Sequence, residues 1–272
     1  MNGEFRDNVV MVTGASSGIG EQVAVQLAGQ GAKLALVARR ADELARVVLA
    51  CQTAGASTGG TAIAVPADLT DPNACAAAVA TTVAHYGRLD TLVNNAGLGM
   101  WARVDEVQDL SVFQRVMQVN YFGAVYTTAA ALPHLRARRG RIVCVSSLAG
   151  RTGVPMRSGY AASKHAMNGF FDSLRIELEG TGVTVTIVNP GFVGTGVQGR
   201  NLNASGVPLG FVPIDLNAAM TPAACAVQVL QAAAARKREL VMTARGKIGM
   251  WLKMIAPSLI DRIAAKAISR GK

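Results

Sequence analysis

The chain has 272 residues, of which 50% are hydrophobic and 16% are charged, and it carries a net charge of +10. This apolar content excludes a disordered chain and is sufficient for one large α/β domain or two small ones. The charge is uneven, because residues 236–272 contain ten Lys or Arg and only two acidic residues. A basic tail does not predict a nucleic-acid surface over the whole molecule, so no nucleic-acid partner is expected.

Short apolar strands alternate with helical stretches, which is typical of a parallel sheet covered on both faces. Strands are predicted at Val9–Thr13, Lys33–Ala38, Thr61–Pro66, Thr91–Asn94, Gly140–Ser146, Thr184–Asn189 and Glu239–Met242. Helices are predicted at Gly18–Gly29, Ala41–Ala54, Pro72–Tyr86, Leu110–Leu135, Ser158–Glu179 and Pro222–Arg236. The pattern indicates a single α/β domain of Rossmann type, with a doubly wound parallel sheet of about seven strands, over residues 1–245. An extension follows over residues 246–272, and the long aperiodic segment Gly191–Asn217 is expected to be a lid.

Four cysteines lie in apolar stretches without the spacing of a metal site. We predict that they are reduced and behave as small hydrophobic residues, and no metal site is predicted. The N-terminal residues do not resemble a secretory signal, and no stretch reaches the roughly 18 apolar residues of a spanning helix. A cytoplasmic protein is therefore expected.

The first strand runs directly into a glycine-rich turn, Thr13–Gly20, and a helix follows it. Glycine lets the backbone approach a pyrophosphate closely, and the N-terminus of the following helix attracts an anion. The spacing G-x-x-x-G-x-G between a strand and a helix favours a dinucleotide-binding loop over an ordinary glycine turn. The predicted cofactor contacts in this loop are Gly14, Ser16, Ser17, Gly18, Ile19 and Gly20.

The end of the second strand distinguishes the two nicotinamide cofactors. An acidic residue there usually binds a free ribose 2′-hydroxyl, whereas this strand ends in Ala38 and continues into Arg39 and Arg40. Arg39 could give a 2′-phosphate a forked contact, so the sequence favours NADP(H) over NAD(H); the alternative is a solvated surface arginine. Asp68 is placed either to accept from the adenine amino group or to form a turn, and Asn95 lies where ligands bind at the sheet edge.

Tyr160 and Lys164 lie four residues apart in a predicted helix and therefore share one face. A nearby ammonium lowers the pKa of a tyrosine, which suits a general acid or base. The pair alone is a weak signal, but Ser147 stands thirteen residues before Tyr160, at the end of the fifth strand. Its hydroxyl can reach the same substrate oxygen as the phenol.

Together, these motifs resemble the short-chain dehydrogenase/reductase family in order and spacing, over roughly residues 8–242. The resemblance rests on Thr13, Gly14, Gly18, Gly20, Asn94, Asn95, Ala96, Gly97, Asn120, Ser147, Tyr160, Lys164, Pro190 and Gly191. It implies that Tyr160 exchanges a proton with the substrate and that Lys164 binds the nicotinamide ribose. Ser147 would orient and polarise the carbonyl.

The resemblance also implies roles for residues that would otherwise attract no attention. Asn120 would hold a water linked to Lys164, although a lone Asn in a helix is first interpreted as a polar group at a kink. The Val193 backbone and the Thr195 hydroxyl would contact the nicotinamide carboxamide. Because family members usually pair through two long helices, a homodimer or homotetramer is expected.

The residues near the expected pocket are almost all apolar: Leu98, Met100, Trp101, Leu148, Val154, Met156 and Phe192. Trp101, Met156 and Phe192, together with Ser147 and Tyr160, are the predicted substrate contacts, although several of the apolar residues fit the core equally well. No paired arginines that would clamp a small carboxylate are evident. A small-molecule substrate is expected, namely a bulky ketone, aldehyde or alcohol of a steroid-like, retinoid-like or other lipid kind. The alternatives are an NAD-dependent alcohol dehydrogenase of the same fold and a non-catalytic protein that senses the cofactor.

The extension carries two apolar stripes separated by Pro257. The first contains Ile248, Trp251, Leu252 and Ile255, and the second contains Ile260, Ile263, Ala264 and Ala267. Basic residues lie on another face of the second stripe, at Arg262, Lys266 and Arg270. A basic amphipathic helix can bind peripherally to an anionic membrane; the alternative is that the stripes pack on their own domain or close the pocket.

Overall fold

The computed structural model describes residues 3–212 and 219–269. Its strands are β1 (Val9–Thr13), β2 (Lys33–Ala38), β3 (Thr61–Pro66), β4 (Thr91–Asn94), β5 (Arg141–Val145), β6 (Thr184–Asn189) and β7 (Glu239–Val241). They form one sheet in the order β3-β2-β1-β4-β5-β6-β7, and every neighbouring pair is parallel. The predicted doubly wound α/β sheet is confirmed.

Helices cover both faces of this sheet. They are α1 (Gly18–Ala28), α2 (Ala41–Gly55), α3 (Pro72–Tyr86), α4 (Ser111–Met117), α5 (Gly123–Ala137), α6 (Ser158–Glu177), α7 (Pro222–Ala234), α8 (Ala244–Ile255) and α9 (Pro257–Ser269). Helices α1, α2 and α7 contribute to the core on one face, and α3, α5 and α6 contribute to the core on the other.

Alternate residues of each central strand face opposite cores, which is why the strands are apolar throughout. In β1, Val10 and Val12 pack against the first group of helices, whereas Val9 and Met11 pack against the second. The four cysteines are free and buried. Cys51 and Cys225 lie in the first core, and Cys75 and Cys144 lie in the second.

The predicted single helix Leu110–Leu135 is wrong in one respect. Helix α4 ends at Met117, a π-helical turn occupies Gln118–Phe122, and α5 then continues the path. Within the turn, the side chain of Asn120 reaches the backbone of Leu98, which the wider hydrogen-bond spacing of a π turn allows.

The lid has more order than its aperiodic sequence indicates. Leu202 forms isolated β-bridges with Met100 and Pro208, and Val193 forms one with Met220. A short helical turn, Val197–Arg200, lies between these bridges. Residues 213–217 of the predicted lid lie outside the described residues.

The extension forms two helices, α8 and α9, which contact each other. Trp251 and Ile255 of the first stripe are 72% and 81% exposed, so these side chains do not pack on the domain as the alternative interpretation required. In the second stripe Ile260 is buried, whereas the Ala267 side chain and Arg270 lie outside the described residues. No helix in the described part of the chain is long and apolar enough to cross a membrane.

Candidate active site

A cavity of about 750 Å³ opens at the carboxyl ends of the strands, where the sheet order reverses between β1 and β4. Ligands of doubly wound sheets bind at this switch point. The predicted site residues that line the cavity are Gly14, Ser16, Ser17, Ile19, Arg39, Asp68, Asn95, Ser147, Tyr160, Lys164, Phe192, Val193 and Thr195. Residues from distant parts of the chain therefore meet at one edge of the sheet.

The β1–α1 turn depends on glycine for two separate reasons. Gly14 and Gly18 have φ values of 64° and 62°, in the left-handed region that favours glycine. A Cβ on Gly14 would also lie 2.7 Å from the Cα of Ala96, and one on Gly20 would collide with the carbonyl oxygen of Gly14. Gly18 and Gly20 do not line the cavity themselves, but they shape the loop that does.

Asn95 ties this loop to the neighbouring strand. Its side-chain amide donates to the carbonyl oxygens of Thr13 and Gly14, at 3.0 and 3.2 Å. The Thr13 hydroxyl in turn accepts from the backbone N–H groups of Asn95 and Ala96. Asn95 therefore fixes the β1–α1 turn to the end of β4, and it also forms part of the cavity wall.

Three arginines surround the loop. Arg40 donates to the hydroxyl of Ser16 at 3.3 Å, and Arg200 from the lid donates to the hydroxyl of Ser17 at 2.7 Å. Arg39 lies beside them on the cavity wall and is exposed. Positive charge at a glycine-rich helix N-terminus is what a phosphate group requires.

Asp68 lies on the same wall, and one of its carboxylate oxygens forms a local turn. This oxygen accepts from the backbone N–H and the hydroxyl of Thr70, at 3.0 and 2.9 Å. The turn-forming interpretation of Asp68 therefore has direct support. Its position on the cavity wall is also compatible with a hydrogen bond from the adenine amino group.

Tyr160, Lys164 and Ser147 meet at the opposite end of the cavity. The ammonium of Lys164 lies 5.8 Å from the centre of the Tyr160 ring and donates to the carbonyl oxygen of Val145 at 3.0 Å. Ser147 lies two residues beyond the end of β5, and a hydrogen bond from its side chain is one of the causes that lower the pKa of Tyr160. A proton-exchanging phenol, a fixed cation and a second hydroxyl are therefore together.

The pKa of Tyr160 is lowered from its ordinary value. Burial acts to raise it, but the positive charges of Lys164 and Arg157 and the hydrogen bond with Ser147 outweigh this effect. A phenol with a lowered pKa can both donate and accept a proton nearer neutral pH.

A family model described as short chain dehydrogenase matches residues 8–205. The chain belongs to the short-chain dehydrogenase/reductase family. It is 37% identical to 11-beta-hydroxysteroid dehydrogenase 1A of Arabidopsis thaliana over 264 residues, covering 93% of this chain and 73% of the relative. It is 36% identical to dehydrogenase/reductase SDR family member 7B of Mus musculus over 265 residues, covering 96% and 81%.

This short-chain dehydrogenase/reductase is accordingly an oxidoreductase that acts on CH–OH donors and uses a nicotinamide dinucleotide. Its cavity fits such a group. The glycines of the β1–α1 turn let a ligand approach the backbone closely, and Arg40 and Arg200 provide positive charge at the same turn. The cavity then continues without interruption to Tyr160 and Lys164.

The role that the resemblance implies for Asn120, to hold a water linked to Lys164, stays a prediction. Asn120 is buried, it does not line the cavity, and its amide group bonds both backbone groups of Leu98 and the hydroxyl of Ser163. Asn120 and Lys164 both lie close to Gly97, within 4 Å of the position of a Cβ built there. Asn120 therefore joins the π-helical turn to the chain beside Lys164, as a polar group at a kink does.

Two of the predicted substrate contacts are absent from the cavity lining. The backbone N–H of Trp101 bonds to the carbonyl oxygen of Leu202, and the carbonyl of Met156 accepts from Ala102. These backbone bonds fix the segment that carries both residues, and neither side chain lines the cavity. Phe192 lines it as predicted and is partly exposed.

Sequence reasoning missed Arg115, Arg157 and Arg200, which all line the cavity. The only sequence signal for Arg157 is its position three residues before Tyr160. Arg200 is a basic residue within an aperiodic lid, and Arg115 lies in a short helix beside it, so neither carried a motif. Three arginines that the sequence analysis did not place at the site therefore line the cavity.

Proposed function

We propose that this short-chain dehydrogenase/reductase interconverts a ketone or aldehyde and the corresponding alcohol, with NADP(H) as the hydride carrier. The observation that supports this most strongly is the Tyr160 phenol with its lowered pKa, held beside Ser147 and Lys164 at the cavity wall. The cofactor supplies or accepts the hydride when bound. The side chains of the chain provide the proton, the orientation and the positive charge.

In the reducing direction, Tyr160 donates its proton to the carbonyl oxygen, and the Ser147 hydroxyl holds the same oxygen in place. Lys164 stabilises the phenolate that remains, because its ammonium lies close to the ring and is fixed by the Val145 carbonyl. In the oxidising direction, the phenolate accepts the proton of the alcohol. The same three residues therefore serve both directions.

The preference for NADP(H) rests on the charges around the β1–α1 turn. Arg39 and Arg40 follow β2 directly, and Arg40 already reaches the hydroxyl of Ser16. Arg200 adds a third cation at Ser17. A 2′-phosphate gains more from these guanidinium groups than an uncharged ribose hydroxyl does.

The apolar part of the cavity lining supports a substrate class. Leu98, Phe192, Leu202 and Pro208 are among the lining residues, which suits a bulky, largely apolar carbonyl compound. The hydroxysteroid dehydrogenase names of the plant relatives support a steroid-like or lipid-like molecule.

The proposal also covers the cellular location and the oligomeric state of the protein. We place it in the cytoplasm, with α8 and α9 bound peripherally to anionic membranes, and we propose a homodimer or homotetramer formed through α5 and α6. Phe122 and Ile176, which are exposed near these helices, support this pairing. Sedimentation of the whole protein as a single-chain species would contradict it.

Tyr160→Phe tests the chemistry. Oxidation of NADPH is followed by absorbance across bulky apolar and small polar carbonyl compounds. We expect turnover of the apolar ketones and a loss of about 100-fold to 10,000-fold in kcat/KM for Tyr160→Phe, with NADPH affinity retained. Tyr126→Phe, which removes a hydroxyl from a tyrosine of α5 that stacks on Phe122, is the matched control and should retain full activity.

Undiminished turnover in Tyr160→Phe would contradict the proposal. Tight binding of NADPH without turnover of any carbonyl compound would favour the cofactor-sensing alternative instead.

Arg39→Ala and Arg40→Ala test the cofactor preference. Each should weaken NADPH binding about tenfold or more and leave NADH binding nearly unchanged, because only NADPH carries the 2′-phosphate. Arg103→Ala, at an exposed arginine in an ion pair with Asp105, is the control. Equal effects on both cofactors would favour the NAD-dependent alcohol dehydrogenase.

A further inference from the structure

Arg157 occupies an unusual position in the cavity. It is the residue immediately before α6, three positions before Tyr160, and its guanidinium carbon lies 4.3 Å from the centre of the Tyr160 ring. The same carbon lies 6.0 Å from the centre of the Phe192 ring. The guanidinium therefore lies between the proposed proton donor and an aromatic residue of the lid segment.

The backbone holds Arg157 there at some cost. The preceding Met156 has a φ of 64°, in the left-handed region that non-glycine residues rarely adopt. Arg157 itself is anchored by a hydrogen bond from its N–H to the carbonyl of Val154. Strain of this kind persists when the surrounding structure fixes it, and it is concentrated at functional sites.

The charge of Arg157 is unbalanced in the part of the chain that the structure describes. No carboxylate there forms an ion pair with it, and its Nε is shielded from solvent without a hydrogen-bond partner. Burial lowers the pKa of Arg157, but a guanidinium stays charged at any ordinary pH. A half-buried cation without a carboxylate partner is unfavourable, so an anion that reached it would be bound strongly.

Three other arginines of the cavity have partners within the protein, and a fourth, Arg39, is exposed to solvent. Arg115 donates to the carbonyl oxygen of Gly206 at 2.7 Å, and Arg40 pairs with Glu43 at 3.3 Å. Arg200 donates to the hydroxyl of Ser17. Arg157 differs from Arg40, Arg115 and Arg200 because the contacts described for its guanidinium are with two aromatic rings, which accept none of its N–H donors in an ordinary hydrogen bond and leave them for a ligand.

We propose that Arg157 binds a carboxylate of the substrate, so that the substrate is a keto acid or hydroxy acid with an apolar body. This inference rests on the proposed function, because it places the carboxylate within a few bonds of the carbonyl that Tyr160 protonates. The planar guanidinium matches a carboxylate through two parallel hydrogen bonds, which an ester cannot accept with equal strength. Apolar residues such as Leu98 and Leu202 surround the remainder of the molecule.

A purely electrostatic role for Arg157 makes a different prediction. Its positive charge helps to lower the pKa of Tyr160. If that were its only role, its loss would slow charged and neutral substrates by the same factor. A pair of substrates that differ only in the carboxylate therefore distinguishes the two roles.

The experiment compares benzoylformate with its methyl ester in the wild-type enzyme, in Arg157→Met and in Arg157→Lys. We expect the wild type to favour the acid, and we expect Arg157→Met to lower kcat/KM for the acid about 10-fold to 100-fold more than for the ester. Arg157→Lys should recover part of the preference, since it retains the charge but not the fork. Arg103→Met is the matched control. An equal effect on acid and ester would overturn the inference.

A binding measurement separates this inference from the proposed function. Benzoate and methyl benzoate, which cannot be reduced at a ketone, are titrated into the complex of the enzyme with NADPH, and the fluorescence of NADPH is followed. Benzoate binding that falls about tenfold or more in Arg157→Met, in an enzyme that reduces no carbonyl compound, would uphold the contact between Arg157 and a carboxylate and reject the proposed function. Ketone reduction that depends on Tyr160, with benzoate binding independent of Arg157, would reject the inference alone.

Discussion

The phenol of Tyr160 lies beside Lys164, Arg157 and Ser147, and all three favour its deprotonated form. Neither cation forms an ion pair with a carboxylate of the described residues, so their charges act on the phenol without local compensation. At the scale of single residues, this imbalance offsets the burial that would otherwise keep the tyrosine protonated far above neutral pH.

The lowered pKa of Tyr160 predicts opposite pH profiles for the two directions. Reduction needs the phenol, so kcat/KM should be constant at low pH and fall as the pH rises through the pKa of Tyr160. Oxidation needs the phenolate, so kcat/KM should rise over the same interval. Both transitions should lie below the ordinary tyrosine value of about 10.

Lys164→Met tests whether the charge of Lys164 lowers the pKa of Tyr160. Its activity should be low, and the transitions that remain should move to higher pH because a stabilising cation has been removed. Lys237→Met, at an exposed lysine before β7, should leave the profile unchanged. Identical transitions in the wild type and Lys164→Met would show that Lys164 does not set this pKa.

At the scale of elements, the β1–α1 turn combines a left-handed backbone with a close approach of two chain segments. Gly14 has a φ of 64°, and its missing Cβ leaves room for Ala96. Gly87, at the end of α3, has a φ of 77° and open space around it. Both glycines therefore have a left-handed backbone conformation, but only Gly14 also lies in close contact with another segment of the chain.

Gly14→Ala should destabilise the protein more than Gly87→Ala, by about 1–3 kcal/mol, because the added methyl group also clashes. It should also weaken NADPH binding, whereas Gly87→Ala should not. Urea unfolding and NADPH titration of both variants measure these effects. Equal losses of stability would show that the backbone conformation alone requires glycine at position 14.

The elements differ in how far local sequence determines them. The strands could be predicted almost to the residue, since a strand buried on both faces gives a continuous apolar run such as Val9–Thr13. The break between α4 and α5 could not, because it depends on contacts of Asn120 with Leu98 and Ser163. These partners are distant in sequence and leave no periodic signal.

The residues of the active site also differ in how far the local sequence determines their positions. Ser147, Tyr160 and Lys164 could be brought together in advance, because strand ends and helix spacing place them. Arg157 could not, because its direction depends on the left-handed conformation of Met156, which a methionine does not signal. Arg200 could not either, since its contact with Ser17 joins residues 183 positions apart.

At the scale of the whole molecule, the tail formed by α8 and α9 exposes several large apolar side chains. Ile248, Trp251, Met254, Ile255 and Ile263 are each more than half exposed. Lys247, Lys253 and Arg262 are exposed among them. Apolar side chains next to basic ones suit the interface of an anionic membrane.

The tail should therefore bind vesicles that contain phosphatidylserine, and bind neutral vesicles and high-salt samples less. Co-sedimentation of the full chain measures this binding. The double variant Trp251→Glu with Ile255→Glu should abolish most of it. Leu49→Glu, which changes another apolar residue that is more than half exposed, on α2, should not. Binding that is unaffected by the double variant would reject the membrane contact.

Because all four cysteines are buried, their reaction with a thiol reagent would measure the opening of the protein. Burial raises the pKa of Cys51, Cys144 and Cys225 to about 12 and also raises that of Cys75, so the native thiols are almost free of reactive thiolate. A thiol reagent can then label the chain only when a layer of helices separates from the sheet. Because each core contains two cysteines, mass spectrometry of the labelled peptides would reveal which face of the sheet opens first.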